Sequence, residues 1–444
     1  NTTEYSFFSY FARANYDYQG KYLFKASIRK DGSSRFGKAN RYGIFPAFSA
    51  GWVLSKEDFL SSSDVISLLK LRASWGKTGN AEIGNFASRD LWNAASYKQL
   101  PAIEPVQPES PNLTWEKSSQ TDIGLDIGVF NNRVSGEIDF YNKKTNGLLF
   151  YQNIPYTSGY SNIYRNIGDM KNTGFEMVIN TQNIKKDNFT WDTNFNVAKN
   201  NNEITALPDD NRDQIIGNVI RRVGERLDSF YLVEYAGVDP NNGDALFYKN
   251  TLNPDGSLDK TKTNDYSEAQ RIIAGSSTPD WIAGLTNTVE YKNFDFSFTF
   301  YGEFGGNLYN SGGKFMSTSA SNGYDNQTVD QMNRWQNPGD ITNVPQARLG
   351  KGNGVEESTR YLEKNDFVRL RNLSLGYTFN KNLTSSIGVN KLRLYVSAIN
   401  VLTFTKYSGY DPEARSDTNR GGGGSTFYSA PPAKTVTFGI NVNF

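Results

Sequence analysis

The residues able to do chemistry narrow the possibilities first by omission. Among 444 residues there is neither His nor Cys, which removes imidazole and thiolate metal ligands, Cys nucleophiles, disulfides and every His-dependent triad. Adjacent carboxylates such as Asp209-Asp210 sit in a polar stretch with no apolar surround to raise a pKa, so they do not make a glycosidase pair. Gly305, Gly306, Gly312 and Gly313 lack the spacing of a phosphate loop ahead of a helix. Asp239, Asn241, Gly243 and Asp244 resemble an oxygen-ligand loop for calcium, yet Asn250 stands where such a loop needs its closing carboxylate, so a plain turn is expected. What remains is aromatic. Trp92, Tyr97, Tyr324 and Trp335 lie in polar segments, where a rigid amphipathic ring can stack on a sugar face or pack a long loop against itself. No catalytic residue, cofactor or metal is expected, and substrate binding rests on those four rings.

The elements that must position them are two-faced strands. In the last eleven residues Val436, Phe438, Ile440, Val442 and Phe444 alternate with Thr435, Thr437, Gly439, Asn441 and Asn443, and a strand closing on an aromatic carboxyl terminus is what the last strand of an outer-membrane barrel carries. The same period runs from Ile123 to Val129 and, past the turn Asn131-Asn132, from Val134 to Phe140. Further pairs are Phe8 to Tyr18 with Lys21 to Lys30, Phe175 to Ile184 with Phe189 to Lys199, and Trp281 to Tyr291 with Phe294 to Phe304. Short turns alternate with long polar segments, roughly Thr78 to Lys117, Asn200 to Asp280, Gly305 to Lys364 and Thr405 to Ala433. Short periplasmic turns and long external loops are the asymmetry of an outer-membrane barrel. About thirteen strands long enough to cross a bilayer can be counted, an odd number where single-chain barrels have even ones, so either the count is off by one or strands lie ahead of Asn1, and the second is expected.

Composition agrees. The chain carries 29 Phe, 26 Tyr and 7 Trp, yet only 37% of its residues are hydrophobic, so the rings must alternate with polar neighbours. No stretch reaches the roughly 18 apolar residues of a spanning helix. Basic and acidic residues nearly cancel, 47 against 46, which gives nucleic acid nothing to bind. Asp122, Asp126, Glu137, Asp139, Lys391 and Arg393 alternate with apolar neighbours as in a water-holding interior, and Trp52, Trp75, Trp115, Trp191 and Trp281 read as girdle residues at the membrane interfaces. A secreted β-sandwich or a propeller would also give short alternating strands, but the sequence has no fixed repeat period and its connections are long.

Several segments, in order, resemble the SusC-like (RagA-like) TonB-dependent transporters of Bacteroidota outer membranes. They are Gly32-Ser33-Ser34-Arg35-Phe36-Gly37, Phe45 to Trp52, Leu69 to Asn80, Asn166 to Glu176, Tyr235 to Pro240, Phe367 to Tyr377 and Tyr407 to Glu413. The resemblance implies an all-β fold, the C-terminal portion of a 22-stranded transmembrane antiparallel barrel occupying residues 1–444. It also implies TonB-dependent import of oligosaccharides or peptides with a SusD-like surface lipoprotein, in contact with outer-membrane lipid and with no enzyme activity. The N-terminal plug, the TonB-contacting segment and the early strands that the family carries are not recognisable in this chain. A non-transporting scaffold barrel in a larger outer-membrane complex stays open, as does a secreted adhesin.

Overall fold

The computed structural model describes residues 3–318, 321, 326–385, 388–415 and 424–444. Thirteen strands follow one another in a single sheet, each hydrogen bonded to the next in chain order. They are β1 (Phe7–Tyr18), β2 (Tyr22–Ser33), β3 (Tyr42–Val53), β4 (Ile66–Asn80), β5 (Glu116–Val129), β6 (Val134–Asn146) and β7 (Asp169–Lys186). After these come β8 (Phe189–Ala206), β9 (Trp281–Tyr291), β10 (Phe294–Phe304), β11 (Phe367–Thr378), β12 (Lys391–Thr405) and β13 (Thr435–Asn443). The expected count and the antiparallel meander both hold. Because side chains alternate faces along a strand, the register decides what each face presents. Leu71, Leu125, Ile138 and Met177 stand opposite one another across β4 to β7, and Phe296, Leu375, Val396 and Phe438 do so across β10 to β13. Along each of these rows one face is apolar, while the neighbouring positions Arg72, Asp126 and Glu137, or Asp295 and Arg393, lie on the other. No helix among the described residues is long and apolar enough to cross a membrane.

The chain divides into two compact units. The first comprises residues 1–182, 198–212 and 222–225. Its first hairpin closes on Gln19 and Gly20, both at positive φ (56° and 64°), the conformation whose twist matches paired strands. Next to that turn, Glu57 gathers three donors: Tyr22 Oη at 2.7 Å, Trp52 Nε1 at 2.9 Å and Lys21 Nζ at 3.2 Å. At the opposite strand ends, segments 34–41, 81–115 and 147–168 fold over a small core of Phe36, Phe45, Ile83, Leu113 and Trp115. Asn166 ties two of these segments together, since its amide exchanges hydrogen bonds with both the N–H and the carbonyl of Thr114 (2.8 and 2.7 Å).

The second unit comprises residues 183–197, 213–221 and 226–444. Its long segments are not structureless. Gln214–Ile216, Val219–Arg221, Ser229–Val233 and Arg271–Ser276 form a four-stranded sheet, and Tyr235–Val238, Ala245–Tyr248 and Lys262–Thr263 a three-stranded one. Val219, Phe230, Leu232, Tyr309 and Tyr361 make one buried cluster, and Val233, Ala245, Phe247 and Ala269 another. These runs are too short to show a period in the sequence, and their burial comes from partners distant in the chain.

Three of the five girdle tryptophans, Trp52, Trp191 and Trp281, sit near strand ends and are more than a third exposed. Trp75 lies further along β4, stacked on Phe48 at 6.1 Å. Trp115 departs from the expectation. It is 4% exposed, packs on Phe36 and Phe45, and donates its indole N–H to the Arg41 carbonyl at 3.1 Å. Loop segments cover it, so it belongs to a core and not to a girdle.

Candidate functional site

The polar face of the first unit is organised around Arg72 on β4. Its guanidinium reaches Asp126 at 2.6 Å, Asp139 at 2.7 Å and Glu137 at 3.4 Å, with Asp122 at 3.8 Å, while Lys70 holds Asp126 at 3.0 Å. Arg72 spans β5 to reach Asp139 on β6 because the residue between them is Gly124, where a Cβ would come within 2.3 Å of Asp139 Oδ1. The second unit repeats the device: Arg393 on β12 pairs with Asp295 on β10 across Gly376 of β11. The acidic positions read from the alternation thus share one face with bases the alternation did not single out. Lys391, at the end of β12, stands opposite Asn443 in the register.

A cavity of about 800 Å3 lies among the loops of the second unit. Its lining includes Asn310, Arg360, Tyr361, Glu363, Tyr407, Ser408, Tyr410 and Tyr428. Its charges are already engaged. Glu363 accepts from the Ser408 N–H (2.8 Å) and hydroxyl (2.7 Å), and Arg360 donates to the Gly354 carbonyl (2.9 Å) with its guanidinium over the Tyr361 ring (5.0 Å). Tyr361 donates to the same carbonyl at 2.9 Å, and burial pushes its phenol up to about 12. Tyr407 is 6% exposed, and its hydroxyl has no hydrogen-bond partner among the described residues; burial raises its phenol as well. Tyr410, by contrast, is 70% exposed. A buried hydroxyl without a partner costs free energy unless something fills the site. Rings, hydroxyls and pre-paired charges suit an uncharged ligand rich in hydroxyl or amide groups.

The loop bearing Tyr407 and Tyr410 is anchored to the wall by a buried ion network. Arg369 on β11 is 1% exposed and pairs with Asp411 (2.5 Å) and Glu413 (3.1 Å), while Arg371 takes the other oxygen of Glu413 at 2.6 Å. Asn365 adds a hydrogen bond to the Pro412 carbonyl at 3.1 Å. Removing one member of such a network leaves an uncompensated buried charge.

Three of the four predicted rings lie among the described residues. Trp92 and Tyr97 lie on the hairpin strand Leu91–Tyr97 of the first unit, both more than half exposed. Trp335 is in the second unit and only 5% exposed, with its indole N–H on the Pro240 carbonyl at 3.0 Å; it packs its loop, the alternative kept open for these rings. Tyr324 lies outside the described residues, as do 421–423 of the glycine run. The turn at Asp239 to Asp244 holds itself without a cation. Burial alone would raise the Asp244 carboxyl, but Asn264 at 2.7 Å and Arg348 at 2.6 Å outweigh it and hold that group below the usual carboxylate range. Tyr407 and Tyr410 went unselected although both stand in the segment that carried the family resemblance.

A sheet of this length, apolar on one face and ion-paired on the other, with long folded loops at one set of strand ends, defines an outer-membrane β-barrel wall. Residues 1–401 match the family TonB dependent receptor-like, beta-barrel, and the chain belongs to that family. It is 36% identical to TonB-dependent receptor P3 of Formosa agariphila over 98% of its own length and 45% of that protein's. It is 33% identical to TonB-dependent receptor SusC of Bacteroides thetaiotaomicron over 98% of its length and 43% of that protein's. Its fold is similar to the structure of the RagAB peptide transporter, with a TM-score of 0.90 and 32% identity over 99% of this chain and 48% of that one. The chain thus spans somewhat less than half the length of these relatives. The polar face is the lumenal one, the apolar face meets lipid, and the protein resides in the outer membrane.

Proposed function

We propose that the full-length protein imports oligosaccharides or peptides across the outer membrane, using TonB as its energy source and a SusD-like surface lipoprotein as its partner. On this reading residues 1–444 supply the later part of the barrel wall with its external loops, and a plug and a TonB-contacting segment lie elsewhere in the protein. Family membership and the likeness to a peptide transporter support the reading. The observation that carries it to specific residues is the loop cavity, where the partnerless Tyr407 hydroxyl and the exposed Tyr410 ring stand together. Bound cargo would give the exposed Tyr410 ring a surface to stack on.

The test is calorimetric titration of the full-length protein with neutral oligosaccharides and with short peptides. Tyr410→Ala should weaken binding about tenfold, the size of a lost ring contact, and Tyr407→Phe should do so by less. Unchanged affinities in both variants would remove the cavity from the pathway. An intact native mass close to that of this chain alone, with no TonB-binding segment in the protein, would instead support a structural scaffold.

A further inference from the structure

We propose that the lipid-facing side of the first unit is a binding site for a phosphorylated glycolipid of the outer leaflet. The claim rests on the outer-membrane placement and not on any cargo. Where β4 to β7 approach their long external segments, one lateral row on the lipid-facing side reads Lys77, Ser119, Lys144, Lys171, each directly opposite the next. The row one pleat towards the membrane centre reads Trp75, Thr121, Asn142, Thr173, and below it come Ala73, Ile123, Phe140 and Phe175. The lysines therefore mark the level at which apolar wall gives way to headgroups.

Two features of this row call for an anion. Lys144 and Lys171 are directly cross-strand, and like charges in that relation repel. None of Lys77, Lys144 and Lys171 makes an ion pair with a described residue. The acid nearest in register is Asp169, opposite Asn146, and its oxygens already accept from Asn146 Nδ2 (2.8 Å) and the Gly147 N–H (3.0 Å). Lys117, one pleat further out opposite Asn146, adds another positive charge.

An acyl-chain receptor lies beside the lysines. On the same face a trough of about 790 Å3 is floored by Ala14, Ala26, Ala50 and Ala73 and walled by Phe24, Phe48 and Trp75. It occupies the two rows on the membrane side of Lys77. Trp75 joins the two parts, since its ring forms one wall of the trough and also lies 5.8 Å below the Lys77 ammonium. Cation row above and apolar trough below match a lipid whose phosphate sits at the interface while a chain descends the wall.

The experiment uses the full-length protein purified in a neutral detergent, with the triple substitution Lys77→Gln, Lys144→Gln, Lys171→Gln and, separately, Ala26→Phe to fill the trough. Native mass spectrometry and thermal unfolding are followed with phosphorylated lipid A, the same lipid enzymatically dephosphorylated, and inorganic phosphate. Wild type should retain phosphorylated lipid A and gain several degrees in Tm from it, the triple variant should bind it at least tenfold more weakly, and Ala26→Phe should weaken it with the lysines intact. Heat-modifiable migration on a gel checks that both variants fold. Equal retention by wild type and triple variant, an equal shift from the dephosphorylated lipid, or an equal shift from inorganic phosphate would each overturn the assignment.

Discussion

Arg393 and Asp295 meet through two hydrogen bonds, 2.9 and 2.5 Å, although a whole strand separates them, and the residue beneath the pair is Gly376. A Cβ at Gly376 would fall 2.4 Å from Arg393 Nη2 and 2.5 Å from Asp295 Oδ1. Both atoms are ends of flexible side chains, so Gly376→Ala should part the ion pair without moving the backbone, at about 1 kcal/mol or less for a pair of this exposure. Gly136→Ala meets the Val178 carbonyl oxygen at 2.5 Å instead, which side-chain motion cannot relieve. That variant should lose about 1–3 kcal/mol as an overpacked position. Urea unfolding followed by heat-modifiable gel migration ranks the two, and the reverse order would refute the distinction.

Asp411→Asn should expose the cost of the buried network at Arg369. With Glu413 still in place, the loss should fall somewhat under the about 3–5 kcal/mol of a fully broken buried pair. The double substitution Arg369→Met with Asp411→Leu should recover most of it, because no unpaired charge is left inside. Limited proteolysis of segment 406–434 reads the anchor directly: cleavage should speed up in the single variant and return towards wild type in the double.

Glu57 gives a pH test at the turn end of the first unit. The hydrogen bonds from Trp52, Tyr22 and Lys21 hold its carboxyl below its ordinary value. A carboxyl depressed in the folded state contributes stability that is present above the unfolded pKa and lost as pH falls through the folded one. Wild type should therefore exceed Glu57→Gln in stability at neutral pH, and the gap should close once pH drops below the usual carboxylate range near about 4. A gap that persists at pH 2 would mean that the carboxylate charge is not what binds the three donors.

Trp92 and Trp335 separate surface rings from packing rings. Trp335→Ala removes a buried side chain that rests against Gly243, and about 3–5 kcal/mol of loop stability should go with it. Trp92→Ala, at an exposed position, should stay within about 0.5 kcal/mol of wild type. Hydrogen exchange of the two loops provides the comparison. If instead Trp92→Ala alone weakened ligand binding, that ring would join the site.

Much of the wall was legible because its signal is local. Each strand repeats apolar and polar residues with a period of two, and turns such as Asn131-Asn132 declare themselves within a few residues. Asp122, Asp126, Glu137 and Asp139 could be assigned to a wet face on that basis. Their partner Arg72 could not, because it reaches them through a register set across segment 81–115. The loops hid more. Val219 and Phe230 are buried in a cluster that includes Tyr309 and Tyr361, far along the chain, and Trp115 in a short window looks the same whether lipid or loop covers it. Tyr407 and Tyr410 stood in a recognised segment, but nothing in their spacing says that one ring turns inward and the other out.

Among the described residues, wall strands pair in the order in which the chain visits them. Excising one complete hairpin would let the flanking strands meet in antiparallel sense, and circumference would shrink by two strand widths, about 10 Å. Pore calibre in such a wall is a quantity that duplication or loss of a single hairpin can change without redrawing the rest.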